Sequence, residues 1–199
     1  MNPELKIKDA ARIVFHKKGY AATRTRDIAE ESGINLALIN YYFRSKEKLF
    51  NLIMLETMQA FLQSVSEVFN NESTTLEFKI ETLAIRYIDL LTENPDIPLF
   101  LLSESRSRPD DLVSKIGMKK IVMKSHFIKQ FQQGVMEGKI AGIHPFHYLM
   151  NLMSLIVFPF AARPIIRGLG DLSQKEFEKL MQERKSLIPV WMNAILKTG

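Results

Sequence analysis

Cysteine is absent from this chain of 199 residues, which removes disulfides, thiolate zinc sites and cysteine nucleophiles together. The first residues, MNPELKIKDA, are charged and lack the apolar stretch of a signal peptide. Long apolar runs are equally scarce. The longest, Leu155 to Ala162, is interrupted by Pro159 and falls far short of the roughly 20 residues that span a bilayer. There is no internal repeat, no low-complexity tract and no convincing strand pattern. No Ser-His-Asp spacing or pair of carboxylates stands out as catalytic machinery. The expectation is a cytoplasmic protein that is not an enzyme, has no membrane partner and carries no resident cofactor or metal.

What is present is apolar content and helix punctuation. Hydrophobic residues make up 46% of the chain, ample for a packed core. The net charge of +5 is unevenly placed: through position 50 there are ten basic residues against six acidic, leaving an excess of only +1 beyond. A basic quarter of this kind suits a polyanionic partner. Asn2 and Pro3 open a helix in which Ile7, Ala10, Ala11, Val14 and Phe15 share a face, and Lys17, Lys18 and Gly19 close it. Thr23 or Thr25 caps a short second helix that ends at Gly33. Asn35 caps a third and Ser45 a fourth, whose apolar positions run on to Asn70. That fourth helix spans roughly 35 Å, enough to tie the first module to the rest of the chain.

Beyond Asn71 proline does the punctuation. Helices are predicted over about 76–91, after Pro98, from Pro109 with Asp110 and Asp111 past Gly117 to about Gly138, and from His144 to Phe160. Ser173 and Glu176 form a capping box for a last helix, expected to kink or restart near Pro189. The class is all-α: a module of short helices at 1–48 followed by a longer helical domain at 49–199.

The block Thr25 to Arg44, TRDIAEESGINLALINYYFR, carries the specific signal. A helix-turn-helix needs a small residue where its helices cross, a glycine in the turn and apolar locks between them. Ala29, Gly33 and the isoleucines 28, 34 and 39 meet those needs. Ile39 and Phe43 then share a buried face, and Leu36, Ala37, Asn40 and Tyr41 point the other way. Such an outward set has little reason to face water unless something covers it.

Over about residues 5 to 55, in AARIVFHKKGYAATRTRDIAEESGINLALINYYFRSKEKLF, the chain resembles the TetR family of transcriptional regulators. Beyond that the likeness is looser, resting on helix order and on FPFAARP, which resembles the penultimate helix of many members. Many members carry tyrosine where Asn40 stands, so base contacts cannot be transferred at that position. Asparagine is suited to bidentate pairing with adenine, while Leu36 and Ala37 offer methyl groups to thymine. Tyr41 suits a phosphate or edge contact, and Tyr42 is divided between packing and a phosphate contact. Thr23, Thr25, Arg26 and Lys46, with Asn35 at the helix start, look like the phosphate-holding set that fixes register.

The resemblance further implies an N-terminal three-helix helix-turn-helix DNA-binding domain at 1–48 and a helical ligand-binding and dimerisation domain at 49–199, a homodimer on a near-palindromic double-stranded operator, repression, and release by an unidentified small-molecule effector. Met58, Phe61, Tyr87, Phe100, Met123, Phe127 and Phe131 are candidates to line an effector cavity, although each on its own also reads as plain core. Phe158, Phe160, Ile165, Leu187, Trp191 and Ile195 are the candidate dimer interface. His144 and His147 stand i, i+3 apart without nearby carboxylates, and His144 is read as a helix cap, not a metal ligand. GLG at Gly168 to Gly170 is read as a loop, and SESRSRPDD from Ser103 as a polar connector. The alternative is a helical adaptor or small-molecule binder whose helix-turn-helix no longer docks on DNA; the intact basic and aromatic positions argue against it.

Overall fold

The computed structural model describes residues 2–107 and 118–197, and every described element is helical. The order is α1 (Pro3–Ala22), α2 (Thr25–Ser32), α3 (Leu36–Phe43), α4 (Lys46–Asn70), α5 (Leu76–Glu93) and α6 (Ile97–Ser107). Then come α7 (Met118–Met123), α8 (His126–Met136), α9 (Pro145–Ala161), α10 (Arg163–Leu169) and α11 (Gln174–Lys197).

Local chemistry starts most of these helices. The Asn2, Asn35, Ser45 and Thr75 side chains accept from the amides of Glu4, Leu38, Lys48 and Phe78, satisfying donors that no helical carbonyl can reach. His144 Nδ1 does the same for Phe146 N, 3.1 Å away. Ser173 and Glu176 exchange their reciprocal pair of bonds, and the Ser173 hydroxyl and amide hold the Glu176 carboxyl below its usual pKa. Gly33, at φ 63° and ψ 24°, turns the chain from α2 into α3, and Gly19, at φ 71°, breaks the helical path of α1.

The structure corrects several details. Neither Thr23 nor Thr25 caps α2: Arg24 holds that position, and Asp27 reaches back to accept from its amide at 2.7 Å. Ser103 lies within α6, not in a connector, and Gly168 lies within α10, not in a loop. The expected helix start at Pro109, with Asp110 and Asp111, and the break at Gly117 lie outside the described residues. The helix expected to run on to Gly138 is interrupted at Ser125, whose hydroxyl donates to Val122 O, so α7 and α8 are separate. The last helix continues through Pro189 without a break.

The core is one continuous cluster from α1 to α11. Ile7, Ala11, Ile28 and Ile39 fill the N-terminal part, and the buried face of α4 carries the cluster onward through Phe50, Met58 and Phe69. Phe69 stacks on Phe127 with centroids 4.5 Å apart, and Phe61 on Tyr87 at 4.6 Å. Helix α5 lies along α11, and α9 packs on both. The expected division between residues 48 and 49 falls in the first turn of α4, so the N-terminal module and the bundle share a helix. No single helix among the described residues is long and apolar enough to cross a membrane.

Candidate nucleic-acid interface

Helix α3 is anchored from behind by Ile39 and Phe43, both buried against the N-terminal core. Eight residues make only about two turns, too few for a helix to persist alone in water, so this packing holds it. With those two residues inward, Leu36, Ala37, Asn40, Tyr41 and Tyr42 are all exposed. Tyr41 is 77% exposed, an unusual position for a large ring. It meets Tyr42 edge-on, with centroids 5.4 Å apart. Asn40, Tyr41, Tyr42 and Arg44 frame a shallow hollow on this surface.

Arg44 is a residue that the sequence pattern does not single out. It closes α3 at φ 63° and ψ −36°, a left-handed conformation costly for a side chain with a Cβ, and its amide donates to Asn40 O. Its placement beside Asn40 and Tyr41 puts a guanidinium at the edge of the exposed face. The only signal for it in the sequence is that a basic residue comes directly after the aromatic run.

The phosphate-holding set divides. Arg26 is exposed on α2, Thr25 is half-buried at the start of that helix, and Asn35 Oδ1 is occupied as the cap of α3. Thr23 does not present its hydroxyl: it is 1% exposed and donates to Gly19 O at 2.7 Å, tying down the end of α1. Lys46 is turned inward as well. Its ammonium donates to Tyr20 O at 2.8 Å and Thr23 O at 2.9 Å and sits 4.2 Å from the Tyr20 ring centroid. It is a strut between the start of α4 and the turn before α2, with one donor left.

The same turn is tied to the bundle. Tyr20 N donates to Asp96 Oδ2 at 2.9 Å, and the His16 ring meets the Glu93 carbonyl. Lys8 and Arg12 both pair with Glu56 on α4, at 2.8 and 2.5 Å. Lys18 pairs with Asp27 at 3.0 Å, and the Arg24 amide together with Lys18 holds the Asp27 carboxyl below its usual pKa. A shift of α5 or α6 would therefore be felt by the frame that aims α3.

Most of the residues expected to line an effector cavity are packed in the core. Met58, Tyr87, Phe100, Phe127 and Phe131 are buried against their neighbours, and burial pushes the Tyr87 hydroxyl up to about 12. Met123 is exposed on α7. Phe61 borders a large hollow, a groove of about 640 Å³ in which Arg12 of α1 meets α4 and α5. Of the interface candidates, Phe158 is 63% exposed, and Ile165, Leu187 and Trp191 are exposed too. Phe160 is not: it is 6% exposed and packs edge-on against Phe177 of its own chain. Ile195 is half-buried against the core.

Residues 7–53 match the family model described as bacterial regulatory proteins, tetR family. Along almost its whole length the chain is similar to the probable HTH-type transcriptional regulator YttP of Bacillus subtilis, 24% identical over 98% of this chain and 94% of that protein. The matched segment, residues 7–53, is a tetR-family module. Solved TetR-type structures share the fold. A TetR/AcrR-family regulator from Thermobifida fusca superposes with a TM-score of 0.67 at 19% identity, over 94% of this chain and 96% of that one. FadR from Bacillus subtilis, solved in complex with stearoyl-CoA, gives 0.60 at 20% identity, over 92% and 96%. Within the matched segment the α2–α3 pair is the helix-turn-helix.

Proposed function

We propose that this chain is a TetR-family transcriptional regulator, a cytoplasmic homodimeric repressor that binds a near-palindromic operator and leaves it when a small molecule occupies the bundle. The observation that carries the reading is the outer face of α3, where Asn40 and Tyr41 are exposed on a helix locked from behind by Ile39 and Phe43. Asn40 reads adenine, the apolar Leu36 and Ala37 meet thymine methyls, and Tyr41, Arg26 and Arg44 hold phosphates. Two such helices about 34 Å apart, or a multiple of that, select a two-fold symmetric site.

Exposed Phe158, Ile165, Leu187 and Trp191 support pairing of the closing helices with those of a second copy. For the effector, the groove beside Phe61 is favoured because Arg12 and Glu56, which pair α1 with α4, form part of its wall. A ligand entering there changes the contact that aims the reading head, which gives it different affinities for the two arrangements. The stearoyl-CoA bound by FadR supports an apolar effector with a charged head.

The deciding experiment is selection of bound sequences from a random duplex library at two salt concentrations. The expected outcome is enrichment of a palindrome and affinity that falls steeply with salt. Weak binding without enrichment would remove the operator reading.

A further inference from the structure

Among the described residues the backbone takes a positive φ at Gly19, Gly33, Gly138, Asp171 and Arg44. Glycine has no Cβ to strain there, and aspartate tolerates the left-handed region better than most side chains. Arg44 is the exception. Its ψ of −36° lies away from the ordinary left-handed helical region, centred near ~47°, and Ser45 N donates to Phe43 O across it at 2.7 Å. Together these make a γ-turn of positive φ, a rare and strained geometry for an L-residue. Glycine, being achiral, adopts it as readily as its mirror image.

The turn is imposed by its surroundings. Only Arg44 and Ser45 stand between α3 and α4. Arg44 N closes α3 by donating to Asn40 O at 2.9 Å, and Ser45, back in extended backbone, caps α4 by accepting from Lys48 N at 3.1 Å. Phe43 before the joint and Leu49 after it are both buried, so two residues must redirect the chain between two anchored helices. The strain therefore comes with the position, and glycine would relieve it. The arginine side chain returns nothing to the fold: it is exposed and makes no hydrogen bond or ion pair among the described residues. It borders instead a hollow of about 580 Å³ whose other walls are Asn40, Tyr41 and Tyr42. A side chain at odds with its own backbone, beside the exposed face of α3, points to a contact made outside the chain.

We propose that the γ-turn at Arg44 is strain carried for DNA binding: it holds the guanidinium where it grips a backbone phosphate and pins the exit end of α3, and a glycine there gives a more stable protein that binds DNA less well. The inference rests on the proposed binding of DNA by α3 and adds to it a trade of stability against contact. The planar guanidinium donates two N–H groups to two oxygens of one phosphate, a fork that an ammonium cannot copy. Because phosphates carry no sequence information, the contact sets how α3 lies in the groove and leaves base choice to Asn40.

Three variants of the full chain separate backbone from side chain. Arg44→Gly removes strain and guanidinium, Arg44→Ala removes the guanidinium alone, and Arg44→Lys keeps the charge without the fork. Thermal unfolding is read at high salt, which screens any pull of the guanidinium on the end of α3. Arg44→Gly should raise Tm by about 2–4 °C, and Arg44→Ala should leave it within about 1 °C. Electrophoretic shifts are read with the duplex enriched by selection and with a random one. Arg44→Gly and Arg44→Ala should both bind about tenfold more weakly or worse, with a salt slope shallower by about 1 for each reading head. Arg44→Lys should keep the slope and lose part of the affinity. A residue with a purely structural role lowers stability when replaced, so the opposite signs are diagnostic. The proposal falls if Arg44→Gly is no more stable than the unaltered chain, or if it binds both duplexes as tightly. Failure of the unaltered chain to shift any duplex is a different result, which removes the DNA reading itself and this contact with it.

Discussion

The N-terminal module and the bundle are built from the same kind of helix but by different rules. In the module, helices of eight residues are set by signals two to four positions apart: Asn35 caps α3, Gly33 ends α2, and Asp27 reaches back to Arg24. In the bundle, positions are set by partners far apart in sequence, such as Phe69 with Phe127 and Asp89 with Lys185. The difference teaches where each part is vulnerable. A small reading head depends on a few local devices that each matter, whereas the bundle spreads its stability over many contacts and is free to vary its cavities.

The strongest way to break that contrast is to remove one buried ring from each part. Phe43→Ala and Phe131→Ala should each cost about 3–5 kcal/mol, as buried aromatics do. Because α4 is continuous through both parts, each variant should lower a single shared unfolding transition. Two separate transitions in denaturant would show that the head folds independently. Next in size, Asn40→Ala should lose about 1–3 kcal/mol of discrimination at one base position. Lys46→Ala should weaken binding to all sequences alike, because it loosens the frame that holds α3. Equal discrimination by Asn40→Ala and the unaltered protein in a competition titration would remove Asn40 from the reading face.

A smaller effect sharpens the local side of the contrast. Gly33→Ala forces a Cβ into a left-handed turn and should cost about 1–2 kcal/mol, measured by thermal unfolding. The smallest effect probes the bundle. Burial holds the Lys79 ammonium below its usual pKa, with only Thr74 O and Gln130 Oε1 as hydrogen-bond partners among the described residues. The unfolded chain then binds more protons between that lowered value and the ordinary lysine range near ~10.4, so stability should rise with pH across this window. Lys79→Met should flatten that rise in urea titrations, and an unchanged slope would show that another group causes it.

Legibility in the sequence divides along the same line. The buried stripe of α1, the glycine turn and the outward face of α3 are readable because helical periodicity and capping act within a turn or two. Thr23 and Lys46 read as phosphate-facing because hydroxyl and ammonium groups near helix starts often are. The structure turns both inward, onto Gly19 O and onto the carbonyls of Tyr20 and Thr23. Phe160 is indistinguishable in sequence from Phe158, two residues away, yet only Phe158 of the two faces outward. Arg44 escapes the sequence pattern because its role depends on the angle at which α3 ends.

The order of residues by itself determined an all-α chain with a helix-turn-helix at its start, because backbone donors must be capped and apolar stripes must be covered wherever they occur. Tertiary structure decided which polar groups stay available: the fold occupies Lys46 and Thr23, exposes Tyr41 and leaves Asn193 Oδ1 unmet. The physical reason is that a hydrogen-bonding group's free capacity depends on what distant segments bring beside it, and spacing along the chain carries no record of that.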